Sequence, residues 1–227
     1  MTHQIKRFAF VLVLLLITSN INSQTINVDV ATERGLMSKN VSNKINAAGS
    51  PYVDENFSAI RIDQYSDKVY TARYNAYNDE MEVKVEGGKV VALDNTSELT
   101  VSFTAKNKKY KTYSYTTEKG ASKRGFLVVL DDTEKYALLK REYIKYYEAE
   151  EAASSYQQDK PATFRREDDT YFLKMDDKMM SIPLKKKSFL KAFPEHSSDL
   201  KTYIKKNKIN LKKEADLKQV ISYISEL

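Results

Sequence analysis

Between Ser58 and Ile182 apolar and polar residues alternate in short runs, and this period of two is the signature of strands with one buried face. Ile60 and Ile62 oppose Ala59 and Arg61, Met81, Val83 and Val85 oppose Glu82, Lys84 and Glu86, and Leu99, Val101 and Phe103 share one side. Val69–Tyr77 is a tyrosine-rich run that ends at Asn78-Asp79, and Gly87-Gly88 supplies a tight hairpin between Met81–Glu86 and Lys89–Leu93. Tyr110, Thr112 and Ser114 oppose Lys111, Tyr113 and Tyr115, Gly120–Gly125 reads as a loop, and Phe126–Leu130 reads as a buried strand. Tyr136–Tyr147 suits helix or strand by composition; a shared face of Tyr136, Leu138, Ile144 and Tyr146 favours strand. Thr163–Arg166, Tyr171–Met175 and Lys178–Ile182, separated by acidic turns, read as a three-strand meander.

After Pro183 the period changes. Lys185–Phe193 predicts a short helix, and Pro194 ends it. Ser197 or Ser198 is placed to cap a second helix carrying Leu200, Tyr203 and Ile204. A third helix follows the turn at Asn207–Asn210, with Glu214 and Asp216 in its first turn, where negative charge suits the dipole. Its apolar residues Leu217, Val220, Ile221 and Ile224 form a stripe at i, i+3, i+4, i+7 that must pack on something.

At the other end, Lys6 and Arg7 precede an unbroken apolar run from Phe8 to Ile17, and Thr18–Ser23 is polar and ends in a small residue. That order of parts predicts a secretory signal peptide over residues 1–23, cleaved between Ser23 and Gln24. The run is about half the roughly 20 apolar residues that a membrane span needs. Gln24–Val30 then alternates like an edge strand, and Asn40–Pro51 reads as a loop or mobile lead-in broken by Gly49 and Pro51. The expected organisation is leader 1–23, lead-in 24–57, antiparallel β domain 58–183, and a basic helical segment 184–227 of the same domain.

Composition narrows the chemistry. The chain has no cysteine, which removes disulfides, thiol nucleophiles, cysteine-type zinc sites and a lipid anchor on a cysteine. Without the leader, His196 is the sole histidine, so no multi-histidine metal site can form within one chain. Neither a Gly-x-Ser-x-Gly elbow nor a glycine-rich phosphate loop occurs. No cofactor is expected. Asp131-Asp132, Asp168-Asp169 and Asp176-Asp177 invite a glycosidase or calcium reading. Neighbours in a hairpin turn point apart, however, and no Asp-x-Asp-x-Asp-Gly loop is present. The 16 tyrosines suit strands with one wet and one dry face.

Charge is segregated. Residues 184–227 hold 11 lysines against five acids, a net of +6. The three clusters are Lys185, Lys186 and Lys187; Lys205 and Lys206 with Lys208; and Lys212 and Lys213. They offer contact to an anionic surface, but acids interrupt them and arginine, the better phosphate fork, is missing; a solvated helix face is the simpler reading. A second candidate face is Arg73, Asn75 and Tyr77, which alternation places together and which could grip a sugar or a peptide strand. The competing reading is a strand entering an Asn-Asp turn with Tyr74 in the core, and the turn chemistry favours it.

Five stretches carry a resemblance: Gly49-Ser-Pro-Tyr-Val-Asp-Glu-Asn-Phe57, Arg73–Glu82, Tyr171–Lys174, Pro183–Lys187, and Tyr203–Lys208 with the tail to Leu217. Together the chain resembles exported β-rich proteins of Gram-negative bacteria that carry no assigned function. The resemblance implies export and β-architecture and brings no catalytic residue or ligand.

The expected fold is α+β and mainly β: a curved antiparallel sheet or partial barrel of about ten strands, with the C-terminal helices packed on its open edge or concave face. The expected function is a non-enzymatic exported protein, periplasmic or extracellular, that binds a protein, polysaccharide or lipid of the cell envelope. Nucleic acid is not an expected partner, and no transmembrane helix is expected in the mature chain. Two alternatives stand beside it. One is a periplasmic carrier of an apolar ligand, which needs a hollow of roughly 300 Å³ or more. The other is a hydrolase with two facing carboxylates.

Overall fold

The computed structural model describes residues 39–227 apart from 66–67, 86–87, 118–119, 153–155 and 157. The leader and the strand expected over 24–30 lie outside the described residues. Among the described residues twelve strands form: β1 (Ser58–Ile62), β2 (Tyr70–Asn75), β3 (Glu80–Lys84), β4 (Val90–Ala92), β5 (Thr100–Phe103), β6 (Lys108–Thr116), β7 (Ser122–Asp132), β8 (Tyr136–Arg141), β9 (Ile144–Tyr147), β10 (Thr163–Arg166), β11 (Thr170–Met175) and β12 (Lys178–Ile182). Helices α1 (Lys186–Ala192), α2 (Ser197–Lys206) and α3 (Glu214–Ile224) follow.

Ten strands make one antiparallel sheet in the order β12-β11-β8-β7-β6-β5-β1-β2-β3-β4, and β9 and β10 make a separate pair. The large sheet is not closed. It bends in two directions, because β3 approaches β7 at one end while β12 approaches β6 at the other. The first bend closes over Ile60, Ile62, Tyr74, Val101, Tyr110 and Phe126, all buried. Tyr74 lies 4.8 Å from Tyr110 and 6.4 Å from Phe126, ring centre to ring centre. The second bend closes the opposite sheet face over Tyr113, Tyr115, Leu127, Leu139 and Phe172.

The helices cover the other face of the second half. Leu217, Val220, Ile221 and Ile224 of α3 join Phe189, Leu200 and Ile204 against Tyr136, Leu138, Tyr171, Leu173 and Ile182. The stripe is therefore buried as its spacing predicts, on the face turned away from Tyr115 and Phe172 rather than on the concave face. Strand β8 serves both cores: Tyr136 and Leu138 face the helices, Ala137 and Leu139 the second bend.

Four local expectations need correction. Residues 122–125 are strand, not loop, because β6 and β7 stay paired to Thr116 and Ser122. The meander does not form: β10 pairs with β9, while β11 enters beside β8. Tyr136–Tyr147 is two strands split at Glu142-Tyr143, one in each sheet. Finally, His196 rather than a serine holds the N-cap position of α2, and no side-chain cap bond forms there. The first turn is set instead by the carbonyl of His196, which accepts from Leu200 N at 2.9 Å.

Candidate functional site

Opposite Tyr74, strands β2 and β3 present a polar face on which Arg73 pairs across the ladder with Glu82 and Asn75 with Glu80. Glu82 is 1% and Glu80 5% exposed. A carboxylate withdrawn from water persists only where donors replace its hydration. Glu82 receives Arg73 Nε at 2.9 Å and Nη2 at 2.8 Å, the Tyr52 hydroxyl at 3.1 Å and Asn75 Nδ2 at 3.3 Å. Glu80 receives the Ser42 hydroxyl at 2.7 Å and its backbone N–H at 3.3 Å. The Arg73 guanidinium lies 3.7 Å from the centre of the Tyr52 ring and 4.6 Å from that of Phe57, and it also donates to the Tyr52 hydroxyl and the Glu55 carbonyl. Burial, then the Glu82 charge, pushes the Tyr52 phenol up to about 12.

These bonds strap residues 39–57 across the sheet. Tyr52 bridges to Asn75, Ala76 and Tyr77 N–H donate to the Pro51 carbonyl, and Ala48 exchanges bonds with Ala162 and Phe164. The lead-in is irregular, as its composition predicts, yet it is tied to the strands at Ser42, Ala48, Pro51 and Tyr52. Gly49 is required at its crossing: φ is +77°, and a Cβ there would stand 2.5 Å from the Phe164 carbonyl oxygen.

Between strap and sheet lies a cavity of about 240 Å³ walled by Tyr52, Arg73, Asn75, Tyr77, Asn78 and Phe164. Arg73, Asn75 and Tyr77 are thus brought to one cavity, but their states differ. Arg73 donates to Glu82, Tyr52 and Glu55, and Asn75 is held by Glu82 while its Oδ1 accepts from Asn78 N at 3.1 Å. Tyr77 packs edge-on against Phe164 at 5.1 Å, and among the described residues its hydroxyl has no hydrogen-bond partner. The turn reading also describes real features, since Tyr74 is buried at 3% exposure and Asp79 turns the chain at φ 59°.

Asp79 is a residue that sequence reasoning assigned only to a turn. It is 5% exposed, and its Oδ1 accepts from Tyr74 at 2.8 Å and Phe126 N at 3.0 Å, pinning the β2–β3 turn to β7. A second residue that the sequence did not single out is Glu142, 5% exposed at the β8–β9 junction. Lys108 Nζ reaches its two oxygens at 2.7 and 2.8 Å, Tyr110 donates to it, and Arg166 stands 3.5 Å away and also pairs with Asp169. Burial works to raise the Glu142 carboxyl, but Lys108, Tyr110 and Arg166 outweigh it and hold it below the ordinary carboxylate range. Asp169 goes up, chiefly through burial. Two carboxylates therefore share one guanidinium, in an ion network rather than across an open cleft. Only strand pairing brings these partners together, so nothing in the sequence order marks them.

Lys185, Lys186, Lys187, Lys205, Lys206, Lys212 and Lys213 are all exposed, and none is in an ion pair among the described residues. Among those residues no group of three or more His, Asp or Glu is placed to hold a metal ion, and no helix is long and apolar enough to cross a membrane. The chain matches no family model, no curated protein and no solved structure.

Proposed function

We propose that this chain is an exported, non-enzymatic protein that binds a partner or a component of the cell envelope at the cavity under the strap. The observation that carries the reading is the contrast between a filled interior and an open polar cavity. Phe189, Leu200, Leu217 and Val220 are each 0% exposed, so the sheet–helix interface offers packing where a carrier needs a hollow. The cavity on β2 instead combines rings that exclude water with groups that lack partners among the described residues: the Tyr77 hydroxyl, and the Asn43 and Asn78 side chains at its rim. Such a mix suits a polar ligand held by directional bonds. The predicted leader and the resemblance to exported proteins support the location.

Cosedimentation of the purified exported chain with envelope fractions of its own host tests the reading. Tyr77→Ala is expected to weaken association about tenfold, a loss of about 1.4 kcal/mol, with circular dichroism unchanged. Equal association of Tyr77→Ala and the parent chain, or none by either, would overturn the site.

A further inference from the structure

A larger cleft of about 570 Å³ opens elsewhere, among β7, β8, β11 and the β9–β10 pair. Its volume falls within the roughly 300–1,000 Å³ that small-molecule sites occupy. Three cations line it from three different strands: Lys123 of β7, Arg141 of β8 and Lys145 of β9. Glu167 and Asp168, in the β10–β11 connection, also line it.

Arg141 is the informative residue. It is half-buried, and its guanidinium carbon lies 4.4 Å from the centre of the Tyr143 ring and 5.6 Å from that of Tyr115. Two rings thus fix a planar fork of five N–H donors. Among the described residues none of those donors has an acceptor. The half-buried Arg73 and Arg124 behave differently: Arg73 donates to Glu82, Tyr52 and Glu55, and Arg124 to Asn95, Ser114 and Thr112. Lys145 is likewise free of any ion pair among the described residues and lies 4.5 Å over the Tyr147 ring. The Tyr147 hydroxyl donates to Glu167 at 2.6 Å and holds that carboxylate in place. Asp168 is exposed and has no partner among the described residues.

A rigid guanidinium fork without an acceptor matches a carboxylate, which it binds through two parallel bonds. The two acids in the same cleft repel a polyanion but accept hydroxyl donors. A ligand that satisfies both carries one carboxylate set among several hydroxyls. We propose that this cleft binds an acidic saccharide of the uronate type, its carboxylate forked on Arg141 and its hydroxyls donated to Glu167 and Asp168. An acidic peptide fits less well, because it brings several carboxylates and few hydroxyls toward those acids. The site is independent of the cavity under the strap.

Isothermal titration of the full exported chain with a trisaccharide bearing one terminal glucuronate tests it, with maltotriose, inorganic phosphate and triglutamate as comparison probes. The glucuronate trisaccharide is expected to bind at least about tenfold more tightly than each of the other three. Arg141→Gln and Arg141→Lys are both expected to weaken it about tenfold, because lysine keeps the charge and loses the fork. Lys145→Ala, at an exposed position that leaves the fold intact, is expected to weaken it about threefold. Tyr77→Ala is expected to leave it unchanged, which separates this site from the strap cavity. Absence of glucuronate-trisaccharide binding, equal binding of phosphate or triglutamate, or retained affinity in both Lys145→Ala and a folded Arg141→Gln would overturn the proposal.

Discussion

At the scale of single residues, the β2–β3 turn depends on a side chain and a missing one. Asp79 bonds Tyr74 and the backbone of Phe126, and a Cβ on Gly125 would stand 1.8 Å from Asp79 Oδ2. Gly125→Ala is therefore expected to expel the carboxylate from its bonds and cost about 2–3 kcal/mol. In a thermal melt that appears as a drop of about 5–10 °C; an unchanged melt would show that Asp79 can leave freely. This residue explains one misreading of the sequence. A glycine in an alternating run reads as a loop, whereas here it lies mid-strand to admit a carboxylate from 46 positions earlier. Arg73 teaches the converse: alternation placed it beside Asn75 and Tyr77, but only the register with Glu82 reveals that four of its five donors are already used.

Among elements, strand existence was legible, and strand partnership only across the tight turns that join β3 to β4 and β11 to β12. The runs at Ser58, Met81, Leu99 and Lys178 became strands because alternation reports burial directly. The meander failed because alternation does not name a neighbour, and the Glu142 network draws β10 away from β11. Lys108 of β6, Tyr110, Arg166 at the end of β10, Asp169, and Lys140 of β8 converge on that junction, and Glu214 of α3 meets Lys140 at 2.6 Å. The native Glu142 carboxyl is held below its ordinary value of 4.5, so the unfolded chain binds the extra proton first. Its stabilising contribution is complete above that value and is lost as pH falls through the native one. Asp169, raised above 3.8, acts in the opposite sense: its contribution is present at low pH and lost as pH rises through its native value. Comparison of the parent with Glu142→Gln isolates the first. The variant is expected to lose about 2 kcal/mol at neutral pH, less than for a fully buried pair because Lys108 and Arg166 are partly solvated. Its denaturant midpoint is also expected to change less than the parent's between about pH 5 and pH 3. Parallel pH curves would show that the junction does not rest on this carboxylate.

For the whole molecule, the helices are part of the sheet's core rather than an appendage. Cutting the chain after Lys213 removes Leu217, Val220, Ile221 and Ile224, all at most 5% exposed, and uncovers Leu138 and Leu173. Four such side chains at about 1.5–3 kcal/mol each rival the 5–15 kcal/mol that holds a typical domain together. The truncated chain is expected to melt far below the parent in a single transition; an unchanged melting temperature would make the tail a separate module. The apolar stripe made this docking legible, although the face it covers emerged only with the strand order. The same packing underlies the central claim, a filled interior with binding at outer clefts. Native mass spectrometry of the protein purified from its host tests that claim most directly. A chain beginning at Gln24 and free of lipid is the predicted result, whereas a stoichiometric co-purifying lipid would contradict it and make the molecule a carrier.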